Sequence, residues 1–171
     1  MLLRLSRCEV RSWRRPDAES LARYADNRKI WINLRDRFPH PYTRADAEAF
    51  IEHALAARPE DRFAIAVAGQ AVGSIGLMLH EDVERVSAEI GYWLGEPFWG
   101  RGIASEAVRA VTQHALAAHG LTRVYALPFA WNPASCRVLE KAGFQLEART
   151  RRSAIKDGQV IDQLLYAYAP D

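Results

Sequence analysis

The stretch Phe98-Trp99-Gly100-Arg101-Gly102-Ile103-Ala104-Ser105-Glu106-Ala107 joins two segments of different periodicity. Before it, Ala88-Glu89-Ile90-Gly91-Tyr92-Trp93-Leu94 is apolar and aromatic and reads as a strand. After it, Ala104, Ala107, Val108, Val111, Ala115 and Leu116 recur at helical spacing and stop at Gly120. A short glycine-containing loop therefore carries the chain from the C-terminal end of a strand into the start of a helix. That start offers unpaired backbone N–H groups and the positive end of the helix dipole, and both favour an anionic phosphate. Gly100 and Gly102 let the backbone approach a ligand that a Cβ would block, and Arg101 adds a positive charge. The turn reads as a pyrophosphate cradle, beside the plainer reading of a tight strand-to-helix turn. Two familiar phosphate fingerprints are missing. A P-loop needs a lysine that Gly102-Ile103-Ala104 lacks, and a dinucleotide fingerprint needs a third glycine where Ser105 stands.

On the N-terminal side, Leu3 to Trp13 alternates loosely and predicts a first strand. Pro16-Asp17 opens a helix to about Tyr24, with Asp17 as its N-cap. Asn27 to Tyr42 is irregular, and its aromatic and charged residues mark a functional loop rather than a bare connector. Thr43 and Asp46 form a capping-box pattern before a helix that buries Ala47, Phe50, Ile51, Ala54 and Leu55 and ends at Pro59. Arg62 to Ala68 and Ala71 to Leu79 predict a hairpin around Gly69-Gln70. Glu81 to Arg85 is a charged turn into the central strand. On the C-terminal side, Thr122 to Leu127 predicts a strand, and Pro133 to Lys141 a helix closed by Gly143. Phe144 to Arg152 and Val160 to Tyr168 are strands around the Asp157-Gly158 turn. Hairpins at both ends enclose one crossover, so the sheet is expected to be mixed rather than parallel.

With 171 residues and no linker, repeat or low-complexity tract, residues 1–171 are expected to form one domain. A formal net charge of +2 with both signs interspersed gives no reason to expect nucleic acid or an anionic membrane as partner. Arg149, Arg151 and Arg152 cluster locally and read as a solvated strand face. Cys8 and Cys136 lie far apart and lack metal-ligand spacing, so no metal is expected and a reduced, cytoplasmic setting fits. The arginine-rich N-terminus does not resemble a signal peptide, and no run nears the roughly 18 apolar residues of a membrane span.

The strand and cradle, Ala88 to Leu94 followed by Phe98 to Ala107, closely resemble the acetyl-CoA motif of GNAT-superfamily N-acetyltransferases, and within it the RimJ/RimL-type branch. The run Asn132-Pro133-Ala134-Ser135-Cys136-Arg137-Val138-Leu139-Glu140-Lys141-Ala142-Gly143-Phe144 resembles a second motif of that branch, and Phe38-Pro39-His40-Pro41-Tyr42-Thr43 an earlier one. The resemblance implies an α/β (α+β) GNAT fold. It would be a single mixed, mostly antiparallel twisted sheet of about seven strands flanked by about four helices. It also implies acetyl-CoA as cosubstrate. Acetyl-CoA would be held by Trp99, Gly100, Arg101, Gly102, Ile103, Ala104 and Ser105 at the cradle. Tyr92, Trp93 and Leu94 would line its pantetheine, and Asn132 and Ser135 its arm. Trp99 departs from the superfamily pattern, in which glutamine or arginine is usual.

Such an enzyme would transfer acetyl to a primary amine by direct attack in a ternary complex, with no covalent enzyme intermediate. The Trp93/Leu94 backbone would supply an oxyanion donor. The resemblance implies Ser135 as the general acid, because Leu139 stands where many members place a tyrosine; Ser135 could equally cap its helix. Ala154 stands where RimL-like enzymes are associated with a glutamate. Glu89 is then the leading base, acting directly or through water, beside the plainer reading of a strand carboxylate paired with an arginine, and His40 is a third candidate. Asn132 fits an N-cap before Pro133 as well as a CoA contact. Trp31, Asp36, Phe38 and Tyr42 are the candidate acceptor-binding residues, Asp36 by pairing with a cationic amine. The acceptor would be a protein N-terminus or an amine-bearing small molecule, and a homodimer is compatible with the family. The competing reading is a non-catalytic acyl-CoA-binding sensor on the same fold, kept open by the missing tyrosine and glutamate.

Overall fold

The chain, described over residues 1–171 by a computed structural model, opens with a tight hairpin of β1 (Leu2–Arg4) and β2 (Glu9–Ser12). The single strand expected over Leu3 to Trp13 is thus two, because the chain reverses at Leu5–Cys8, where Leu5 N donates to Cys8 O at 2.9 Å. A 3-10 turn over Arg15–Asp17 leads into α1 (Ala18–Ala25). Asp17 sits at the N-cap of α1 but makes no capping bond. Its carboxylate instead accepts both Arg11 guanidinium nitrogens, at 2.8 and 2.9 Å, and the Arg14 N–H at 2.9 Å. The irregular stretch that follows contains a short helix, α2 (Arg28–Trp31), capped by Asn27. The capping box at Thr43 and Asp46 forms as expected and starts α3 (Arg44–Ala56).

Next come β3 (Arg62–Val67), β4 (Gln70–Leu79), the central strand β5 (Ser87–Leu94), α4 (Ile103–His119) and β6 (Arg123–Ala126). The chain continues with α5 (Pro133–Lys141), β7 (Gln145–Lys156) and β8 (Gln159–Tyr168). The strands make one sheet in the order β1-β2-β3-β4-β5-β6-β8-β7. Only β5 and β6 pair in parallel, across the α4 crossover, so the sheet is mixed and mostly antiparallel. It has eight strands and five α-helices where about seven and about four were expected. The additions are the split first strand and α2, both too short to leave a periodic signal.

Each sheet face has its own core. On one, Phe63, Ile65, Val72, Ile75, Ala88 and Ile90 meet Val108, Val111 and Ala115 of α4 and Leu139 of α5. On the other, the small residues Ala64 and Ala71 let α1 and α3 settle close through Leu21, Ala25, Ala47, Ile51 and Ala54. Phe50 and Leu55 of α3 lie at the edge of this second core rather than inside it. Gly73 lets β4 approach the end of β5, since a Cβ there would stand 2.5 Å from Trp93 O. No helix is long and apolar enough to cross a membrane.

Candidate active site

The sheet opens at its centre. β5 pairs with β4 from Leu79↔Ala88 to Gly73↔Leu94, but with β6 only at Ser87↔Arg123, Ala88↔Val124 and Glu89↔Tyr125. Beyond Glu89 the two strands part, and β6 ends at Ala126. Ile90 to Leu94 therefore have no strand partner on one edge, and their backbone groups there face a slot. Alternation assigns the side chains: Ala88, Ile90, Tyr92 and Leu94 turn toward α4 and α5, while Trp93 packs on the other core.

At the end of β5 the chain makes the glycine turn. Trp99 Nε1 donates to Leu94 O at 2.7 Å, tying the turn back to the strand it leaves. Gly100 and Gly102 have φ of 73° and 76°, the left-handed region where a Cβ is disfavoured. Gly102 is the N-cap of α4 and has no side chain to cap it. None of the backbone N–H groups from Gly100 to Ser105 finds an acceptor in the chain; the first satisfied is Glu106 N, on Gly102 O at 3.1 Å. A row of open donors at the positive end of a 17-residue helix fits an anionic group. Arg101 lies over the Phe98 ring, 5.6 Å from its centroid, and makes no ion pair.

A second cation reaches the same turn from far away in sequence. Glu106, in the first turns of α4, accepts the Ser6 and Arg7 N–H groups at 3.0 and 2.9 Å and the Ser6 hydroxyl at 2.5 Å. This clamp holds the β1–β2 turn against the cradle, where Arg7 Nε would be 3.4 Å from a Cβ on Gly102. No local pattern links residues 7 and 102, and Arg7 was not among the sequence candidates. Burial opposes ionisation of Glu106, but the bonds from Ser6 and Arg7, with the Arg7 charge, outweigh it and hold its pKa below the usual 4.5. The clamp is therefore complete above pH 4.5 and is lost as pH falls through the lowered folded value. The Ser6 and Arg7 amide resonances are expected to move together in that acid range; resonances that stay fixed would show that the clamp does not depend on the carboxylate.

Across the slot, Asn132 caps α5 by accepting Ser135 N on Oδ1 at 3.3 Å, which leaves its Nδ2 unengaged. Ser135 Oγ lies 2.7 Å from Tyr92 Oη. Leu139 is fully buried in the core. Glu89 is on the other face of β5 and is paired with Arg35 at 3.3 Å, so its ion-pair reading is realised. Ser135 and Glu89 thus flank the slot from opposite faces of the sheet. His40 packs at a tilt against Trp31, with ring centroids 5.7 Å apart.

The four acceptor candidates separate. Phe38 packs between Tyr42 and Trp93, with centroids 4.9 and 5.8 Å away, and Tyr42 is buried. Asp36 does meet a primary ammonium, but it is the chain's own: Lys156 Nζ, 3.0 Å away. Lys156 is buried, and its ammonium stands 3.9 Å from the centroid of the Trp31 ring. Arg28 pairs with Asp157 at 2.7 Å beside it. Together with the Trp131–Asn33 bond of 3.0 Å, these contacts strap the 27–42 loop across the slot, from β5 to the final hairpin. No group of three or more His, Cys, Asp or Glu is placed to hold a metal ion.

The acetyltransferase (GNAT) domain family matches residues 7–145, most of the chain, including the slot and cradle. The chain belongs to the GNAT acetyltransferase family. Its GNAT relatives include the uncharacterized N-acetyltransferase YoaA of Bacillus subtilis, 36% identical over 96 residues that cover 56% of this chain and 54% of YoaA. The ribosomal-protein-serine acetyltransferase of Escherichia coli is 34% identical over 95 residues, 54% of this chain and 53% of that protein. The chain thus spans about half the length of these curated relatives. Among solved structures, RimJ of Mycobacterium smegmatis in complex with CoA-disulfide superposes with a TM-score of 0.84 at 27% identity, covering 95% of this chain and 81% of RimJ. These relatives support the RimJ/RimL-type branch of the GNAT family.

Proposed function

We propose that this chain is an acetyl-CoA-dependent N-acetyltransferase acting on a primary amine. The observation that carries the reading is the row of unpaired N–H groups from Gly100 to Ser105, at the end of a slot whose far wall holds Ser135. Those donors, with Arg101 and Arg7, would hold the pyrophosphate. The free edge of Tyr92 to Leu94, with Asn132, would hold the pantetheine. Bound there, acetyl-CoA supplies an activated acetyl group as a thioester.

The chain's own residues then have three tasks. A backbone N–H at Trp93 or Leu94 meets the oxyanion, a contribution worth about 10²–10³-fold in other acyl transfers. Ser135 gives its hydroxyl proton to the departing sulfur. Glu89 takes the amine's proton directly or through water, with Arg35 holding it in place. The strap over the slot favours an acceptor that enters end-on. Protein N-termini are the first class to test, in line with the ribosomal-protein relative, and slender amines the second. All of residues 1–171 act as one catalytic domain in this reading.

Calorimetric titration with acetyl-CoA, followed by thiol release across N-terminal peptides and small amines, tests it. Binding with thiol release for one acceptor class is expected. Binding with no release on any acceptor would favour the sensor reading, and absence of binding would remove the cradle assignment.

A further inference from the structure

Two hydroxyl groups from opposite walls of the slot meet at Tyr92 and Ser135. Resting on the reading of Ser135 as the group that meets the leaving sulfur, we propose that Tyr92 is a positioning residue for that step. Its phenol donates to Ser135 Oγ and so commits the serine's own proton to the slot.

Geometry brings the two hydroxyls within hydrogen-bond reach, and their relative acidity gives the direction of the bond. Tyr92 Oη is 2.7 Å from Ser135 Oγ and 3.3 Å from Ser135 O. The shorter contact is a full hydrogen bond and the longer one marginal. A phenol is a stronger acid than an aliphatic alcohol, so it is the better donor of the pair. Burial pushes the Tyr92 pKa up, which the Ser135 bond only partly offsets, and keeps the phenol protonated at any working pH. Each hydroxyl has a single proton to give. With the phenol's proton spent on Oγ, the Ser135 proton is free to point elsewhere. A hydroxyl that accepts one hydrogen bond donates a stronger one.

Tyr92 also stands where this matters. It lies on the unpaired edge of β5, beyond the last β5–β6 partner at Glu89, while Ser135 is held in the first turn of α5 by the Asn132 cap. The phenol therefore links the two walls at the slot. As the amine nitrogen bonds to the acetyl carbon and the C–S bond breaks, the C–S electron pair leaves on sulfur. Sulfur takes the Ser135 proton, and the phenol bond stabilises the charge left on Oγ. The proton lost by the amine passes to Glu89, directly or through water, and from there to solvent, and solvent returns one to Ser135, so the balance closes with amide and free thiol.

Three variants test this. Ser135→Ala is expected to lower kcat by about 10²-fold. Tyr92→Phe, which keeps the ring, should lower it about tenfold, and the double variant no further than Ser135→Ala alone. Acetyl-CoA affinity by calorimetry should stay within about twofold in Tyr92→Phe, since the backbone edge that would hold the pantetheine and the cradle that would hold the pyrophosphate are both kept. A readout independent of turnover is the ¹³C resonance of tyrosine labelled at Cζ, with Tyr92 assigned by its loss in Tyr92→Phe. That resonance should shift in Ser135→Ala and on addition of acetyl-CoA. Unchanged kcat in Tyr92→Phe, losses that add in the double variant, or a Cζ resonance indifferent to Ser135→Ala would each overturn the proposal and leave the acetyltransferase reading standing. Full kcat in Ser135→Ala would remove the Ser135 assignment itself.

Discussion

Glutamate in place of Gly102 abolishes the heat of acetyl-CoA binding in the expected result, weakening affinity by more than about 10²-fold, while the protein stays folded. Two costs combine. Gly102 has φ of 76°, and an L-residue there costs roughly 1–2 kcal/mol. The larger effect is electrostatic. The new side chain would start 3.4 Å from Arg7 Nε and point a carboxylate into the row of donors that α4 and the glycine turn leave open. The cradle would then hold its own anion, and a phosphate entering it would meet a like charge. Gly102→Ala separates the two costs, because it shares the backbone penalty without the charge; it should lose only about tenfold. Wild-type affinity in Gly102→Glu would mean that acetyl-CoA does not use this turn.

The second large effect concerns stability. Asp17→Ala should destabilise the fold by about 3–5 kcal/mol, because it leaves the Arg11 guanidinium buried without its counter-charge. The Arg11 and Asp17 side chains are only 3% and 9% exposed, so water cannot replace the lost partner. Arg11 keeps bonds to Ser12 O and Gly69 O, but its Nε already has no acceptor. For a chain of this size the loss corresponds to a fall in Tm of about 6–20 °C. Replacing both partners by apolar residues, as in Arg11→Met with Asp17→Leu, should recover most of it, since the desolvation penalty goes with the charges. A double variant as unstable as Asp17→Ala would show that the pair contributes shape rather than charge balance.

The parts of this fold legible in the sequence are those whose signal is local. The glycine turn and α4, the Thr43–Asp46 capping box, α5 behind Pro133 and the Asp157-Gly158 hairpin all stand close to where their residues predicted them. Gly120 ends α4 where the helical spacing stops, in the left-handed conformation. What was not legible depends on partners that only the folded chain brings together. Asp17 looks like a helix cap until Arg11, six residues earlier on β2, claims its carboxylate. Asp36 looks free for a substrate amine until Lys156 arrives from the final hairpin. Lys156 itself sits in a strand of exposed residues and gives no sign of being buried. The candidate site divides the same way. The cradle could be read from a single stretch, whereas the Arg7 approach, the Arg35–Glu89 pair and the Tyr92–Ser135 contact are consequences of the assembled sheet.

The strand order also constrains how the molecule comes into being. β8 follows every other strand in sequence, yet it lies inside the sheet between β6 and β7. On a ribosome, the N-terminal half through β5 can collapse as soon as it emerges, since β1 to β5 pair with their sequence neighbours. β6 then waits with a bare edge, and β7 has nothing to join, until Gln159–Tyr168 is made. The cradle is thus synthesised before the α5 wall opposite it, and the Lys156 fastening comes later still. A nascent chain would hold a phosphate-binding turn well before it could hold an acceptor.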